Sequence, residues 1–98
     1  MSVPESAEVR NNRAAQRFEL VIGDRLAQIA YAERDGVITF IHTEVPPELE
    51  GQGIASRMAH TALEYARERQ LRVVPRCPYV AGYIRRHPEY QSLVARQE

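Results

Sequence analysis

The hydrophobic residues of this chain change period once, and that change limits what it can fold into. Up to Val45 they alternate. Phe18, Leu20 and Ile22 are interleaved with Arg17, Glu19 and Val21, and Val37-Ile38-Thr39-Phe40-Ile41-His42-Thr43-Glu44-Val45 is β-branched and aromatic. Alternation at two residues predicts strands. From Ile54 onward the apolar positions are Ile54, Ala55, Met58, Ala59, Ala62, Leu63, Tyr65 and Ala66, two adjacent rows on one side of a helix. A sheet made first and a long amphipathic helix laid on it afterwards is the expected outcome, in a chain of 98 residues. That length holds one modest core and not two.

Punctuation completes the pattern. Gly23-Asp24 predicts a turn, and Leu26 to Tyr31 a second strand with apolar character on both sides. Asp35-Gly36 is the strongest hairpin signal in the chain. Pro46-Pro47 ends the third strand, since proline cannot donate to a ladder. After the helix, Leu71 to Pro75 reads as a short strand. Pro78 opens a second helix that carries Val80, Ala81, Tyr83 and Ile84 and ends near Arg85-Arg86, and Tyr90, Leu93 and Val94 predict one or two final turns. The expected fold class is α/β (α+β). It comprises an antiparallel three-stranded meander, a helix, a strand parallel to the third, and C-terminal helices. Residues 1–12 read as a flexible N-terminus, leaving residues 13–98 as the domain.

Charge and cysteine content exclude several function classes. Thirteen basic residues balance thirteen acids, which argues against a nucleic-acid-binding protein. All thirteen bases are arginine. The first half of the chain is net negative by three and the second half net positive by three, so an anion is better received by the second. One cysteine makes no internal disulfide, and no Cys/His spacing makes a metal site. No apolar run approaches the roughly 18 residues that cross a bilayer, and MSVPESAEVR has neither the basic nor the apolar part of a secretory leader. A reduced cytoplasmic setting is the expectation.

The segment Glu48-Leu49-Glu50-Gly51-Gln52-Gly53-Ile54-Ala55 lies between the third strand and the long helix. Glycines at 51 and 53 let a loop turn its backbone N–H groups toward one point. The helix N-terminus adds its unpaired N–H groups and roughly half a positive charge. This is either a simple helix cap or an anion site suited to phosphate. The spacing is that of neither the P-loop nor the dinucleotide fingerprint. It resembles the acetyl-CoA pyrophosphate loop of the GCN5-related N-acetyltransferases, Gln/Arg-x-x-Gly-x-Gly/Ala, with Gly53 and Ala55 at the last two marked positions and Glu50 in place of the first. His42-Thr43-Glu44-Val45-Pro46, Cys77-Pro78-Tyr79-Val80, Tyr83-Ile84 and His87-Pro88-Glu89-Tyr90 extend the resemblance over residues 12–94, to the small single-domain, YjdJ-type branch of that superfamily.

The resemblance implies acetyl-CoA as donor, no metal, and an amine acceptor, small molecule or protein, in a monomer or homodimer. It implies that Val45 offers backbone groups to the pantetheine arm. Gly51, Gln52, Gly53, Ile54, Ala55, Ser56 and Arg57 then hold the pyrophosphate, with Arg57 either adding charge or simply solvated. Four side chains are candidates for the chemistry. Cys77 is a nucleophile for a ping-pong route or a buried packing thiol. His42 is a general base or an ordinary strand histidine. Glu44, two residues on, shares its side and would orient it. Tyr83 falls where the superfamily often places a tyrosine near the sulfur. Two functions are carried forward: an acetyl-CoA-dependent N-acetyltransferase of minimal size, and a CoA-binding or protein-interaction module with little catalysis.

Overall fold

The computed structural model describes residues 7–95. Five strands form one sheet in chain order: β1 (Arg10–Asn12), β2 (Arg17–Ile22), β3 (Arg25–Arg34), β4 (Val37–Glu44) and β5 (Arg72–Pro75). The first four are antiparallel, and β5 runs parallel to β4. Helix α1 (Ile54–Glu68) makes the crossover, and α2 (Pro78–Arg86) follows β5. Asp35 and Gly36 both take positive φ, 53° and 80°, as a two-residue hairpin of type I′ requires.

The meander has one strand more than the sequence predicts. Residues 10–12, read as part of a flexible terminus, pair with β2; residues 1–6 lie outside the described residues. β1 buries almost nothing, so it leaves no hydrophobic pattern. It is held by ladder bonds and by polar side chains: Asn12 Nδ2 donates to Glu19 at 3.1 Å, and the Tyr31 hydroxyl donates to Asn11 at 2.6 Å.

The core fills one side of the sheet. Phe18, Leu20, Ile22, Ala27, Ile29, Tyr31, Ile38, Phe40 and Val73 point to it, and α1 brings Ile54, Met58, Ala59, Ala62, Leu63 and Ala66. α1 lies against β2 and β3, and α2 against β4, β5 and α1. α1 stops because Gln70 turns left-handed (φ 58°), letting Leu71 N–H bond Ala66 C=O at 2.8 Å and Gln70 N–H bond Arg67 C=O at 3.2 Å. A 3-10 turn, Pro88–Leu93, closes the chain over α1. Its buried Tyr90 donates its hydroxyl to Glu64 at 2.6 Å and also meets His60 Nδ1 at 3.1 Å.

Candidate functional site

The site is built where β4 and β5 part. Their parallel pairing ends at Phe40 opposite Pro75, and Cys77 N–H makes a last bond to Phe40 C=O at 2.9 Å. Beyond it β4 continues to Glu44, while the other chain turns away at Pro78, which starts α2 as its first residue. The edge of β4 that faced β5 is left without a strand partner, and its backbone groups need another one.

At the same place β4 carries a bulge. Ala30 pairs with His42 and Tyr31 with Phe40, so Ile41 is the extra residue. The bulge reverses the alternation along the strand. Simple alternation from Ile38 and Phe40 would send His42 and Glu44 into the core. Instead Thr43, opposite the buried Ile29, points inward, and His42 and Glu44 stand on the outer face. There His42 Nε2 is 3.6 Å from Glu44, which also accepts a bond from Gln28 Nε2 at 3.1 Å. His42 and Glu44 therefore stand side by side on an exposed face beside the parting strands.

Next to the splay is a cavity of about 240 Å³, lined by Val45, Leu49, Glu50, Gly51, Gly53, Ile54, Ala55, Ser56 and Tyr79. Its floor is apolar. Leu49, from the 3-10 turn Pro47–Leu49, is fully buried. Its rim is the glycine loop. Gly51 and Gly53 have φ of 81° and 75°, conformations that an L-residue adopts only at a cost. Gly53 is the N-cap of α1 and supplies no side-chain cap to the helix's first N–H groups. A second cleft, lined by Leu26, Thr43, Glu44, Val45, Pro46, Pro47 and Glu50, adjoins the first and shares Val45 and Glu50 with it.

Six of the sequence-derived binding positions meet at this cavity. Val45, Gly51, Gly53, Ile54, Ala55 and Ser56 line it. Tyr83 stands near the Ser56 side chain, and its ring stacks on that of His87 at 3.9 Å. Burial pushes the Tyr83 phenol up, which keeps its proton in place.

The remaining candidates lie elsewhere. Arg57 is turned from the cavity and donates to the carbonyl of Ala7. Gln52 is exposed on the loop and is not among the lining residues. Cys77 is 1% exposed, lines neither cleft, and has its Sγ 3.1 Å from the Thr43 hydroxyl. It belongs to the buried core cluster. Tyr79 reads from the sequence as a core or interface residue, yet it lines the cavity. Its spacing from Tyr83, one helical turn on the same side of α2, is the signal that could have found it.

This strand, loop and helix arrangement has known counterparts. Residues 17–93 match the family described as GCN5-related N-acetyl-transferase. The chain belongs to that family. Among its relatives, Protein NATD1 of Mus musculus is 35% identical over 88 residues, covering 87% of this chain and 80% of the relative. Protein NATD1 of Xenopus tropicalis is 27% identical over 96 residues, covering 95% and 88%. The solution structure of a GCN5-like protein from Staphylococcus aureus superposes with a TM-score of 0.71 at 26% identity, over 97% of this chain and 94% of that one. The mixed sheet with its helix, parallel strand and C-terminal helices is thus the fold this chain shares with that protein. No group of three or more potential metal ligands exists among the described residues, and no helix there is long and apolar enough to cross a membrane.

Proposed function

We propose that this protein binds acetyl-CoA in the cavity beside the splay and transfers the acetyl group directly to an amine, as a minimal N-acetyltransferase. The observation that carries this reading is the rim of the cavity, where two left-handed glycines and an uncapped helix N-terminus converge above an apolar floor. Such a rim takes a pyrophosphate, and the unpaired edge of β4 at Val45 suits the amides of an extended pantetheine arm. Bound acetyl-CoA supplies an activated thioester.

The chain's own residues supply proton traffic and position. His42, steadied by Glu44, is the base for the amine proton, and both stand at the open side from which an acceptor reaches the splay. Tyr83 retains its proton and stands near Ser56 of the cavity wall, so it is the donor to the departing thiolate. Direct transfer needs no enzyme nucleophile, and the burial of Cys77 against Thr43 argues for that route over a covalent one. A reduced cytoplasmic setting suits the free thiol.

Titration calorimetry with acetyl-CoA tests the reading; absence of binding up to millimolar concentration would remove it. Tyr83→Phe is expected to lower kcat about 10- to 100-fold with KM for acetyl-CoA nearly unchanged; an equal fall in affinity would make Tyr83 a binding residue instead. Cys77→Ala is expected to keep transfer within about twofold, while losing about 1 kcal/mol of stability with the Thr43 contact. An acetyl adduct on Cys77 in the wild type, seen by mass spectrometry, would restore the covalent route.

The alternative of a CoA-binding module rests on the exposure of His42 and Glu44, whose side chains are 52% and 64% accessible, so that nothing excludes water from the base. Binding without product over a panel of primary amines would favour it.

A further inference from the structure

Helix α2 carries an arrangement that the acetyl-transfer reading leaves unused. Tyr79, Gly82 and Arg86 follow one another along one side of the helix. Tyr79 lines the cavity, and the guanidinium of Arg86 lies over its ring, 5.8 Å from the centroid. At Gly82 the space that a side chain would fill is taken by two arginines. A Cβ there would stand 3.3 Å from Nη1 of Arg86 and 3.5 Å from Nη2 of Arg85. Both side chains thus fold back over the helix and bring their nitrogens to one point.

Helix spacing and the ring of Tyr79 bring the two side chains here, but neither supplies a negative partner. Among the described residues, neither guanidinium donates to a carboxylate or to a carbonyl of the helix end. Two like charges drawn together on a surface repel. A dianion between them turns the repulsion into paired, charge-assisted hydrogen bonds, for which the planar guanidinium fork is well shaped. The fork is reached from the glycine loop by crossing the ring of Tyr79. Coenzyme A carries two separate anionic groups, a pyrophosphate and a 3′-phosphate on the ribose. The loop of Gly51 and Gly53 provides for the first, and the second needs cations of its own.

We infer that Arg85 and Arg86, held together over Gly82, form the binding site for the ribose 3′-phosphate of the cofactor. This rests on the reading of the cavity as a coenzyme A site. It also gives the positive half of the chain a specific task, and it makes Gly82 the residue whose missing side chain allows the two forks to meet.

The experiment compares coenzyme A with dephospho-coenzyme A, which lacks only that phosphate, by titration calorimetry at low ionic strength. The wild type is expected to bind coenzyme A about tenfold more tightly, the scale of one or two charge-assisted bonds. The double variant Arg85→Gln/Arg86→Gln is expected to bind both ligands alike, with the affinity the wild type has for the dephospho form. That retained affinity also shows that the variant is folded. If the wild type binds the two ligands equally, or the double variant keeps the preference, the assignment of the arginines is overturned while the cavity remains a coenzyme A site. If the wild type binds neither, the cavity reading falls and the assignment with it.

Discussion

Gly53→Val is expected to remove at least nine-tenths of the affinity for acetyl-CoA while leaving the protein folded. Gly53 has φ 75° and ψ 12° and caps α1. A β-branched residue in this left-handed conformation costs about 1–2 kcal/mol. That is tolerable for a domain whose stability is of the order of 5–15 kcal/mol. A Cβ added at Gly53 meets no protein atom within 4 Å, so the side chain starts into open space. What it changes is the rim: the backbone relaxes toward negative φ and its N–H groups lose their common direction, while the new methyls enter the space before the helix end. Calorimetry should show the loss of binding, and circular dichroism an unchanged helix content with a small fall in Tm. Gly53→Asn is the control, because asparagine enters the left-handed region more easily, and it should bind better than the valine variant. If Gly53→Val binds acetyl-CoA as the wild type does, the loop is only a helix cap.

The sequence makes this loop legible because two glycines in a strand-to-helix connection mark left-handed backbone, whether it serves as a cap or as an anion cradle. The same holds for the Asp35-Gly36 hairpin and for the buried stripe of α1, where local chemistry and tertiary role agree. What escaped is decided by partners and not by local chemistry. β1 has no apolar pattern to read, and exists because Glu19 and Tyr31 meet its asparagines. The bulge at Ile41 follows from how β4 pairs with β3, yet it determines that His42 and Glu44 look outward and that Thr43 meets Cys77. Arginine is the residue whose position says least about where its charge goes. Arg57 begins one turn into the helix at the loop and ends on Ala7, whereas Arg86 begins at the far end of α2 and ends over a residue of the cavity. Charge patterning along the chain therefore marks the second half as positive without showing where each guanidinium ends.

The largest effect on stability is expected at Phe18, and it offers a way to read the site independently of chemistry. Phe18 is fully buried at the centre of an aromatic group, with its ring 5.3 Å from that of Tyr31 and 5.7 Å from that of Tyr65. Phe18→Ala leaves a cavity between β2 and α1 and should cost about 3–5 kcal/mol. For a chain this small that corresponds to a fall in Tm of roughly 15–30 °C, so that a sizeable fraction is unfolded at physiological temperature. Phe18 is not among the residues lining the cavity beside the splay, so on the proposed reading the folded fraction should bind normally. Acetyl-CoA at about a hundredfold excess over Kd should then restore about 2.7 kcal/mol, because it binds the folded state alone. The same excess should restore almost nothing to Phe18→Ala/Gly53→Val, in which the rim is damaged as well. Rescue of both variants to the same extent would move the ligand away from the glycine loop. Rescue of neither would mean that the buried aromatic group and the cavity are not independent parts of the fold.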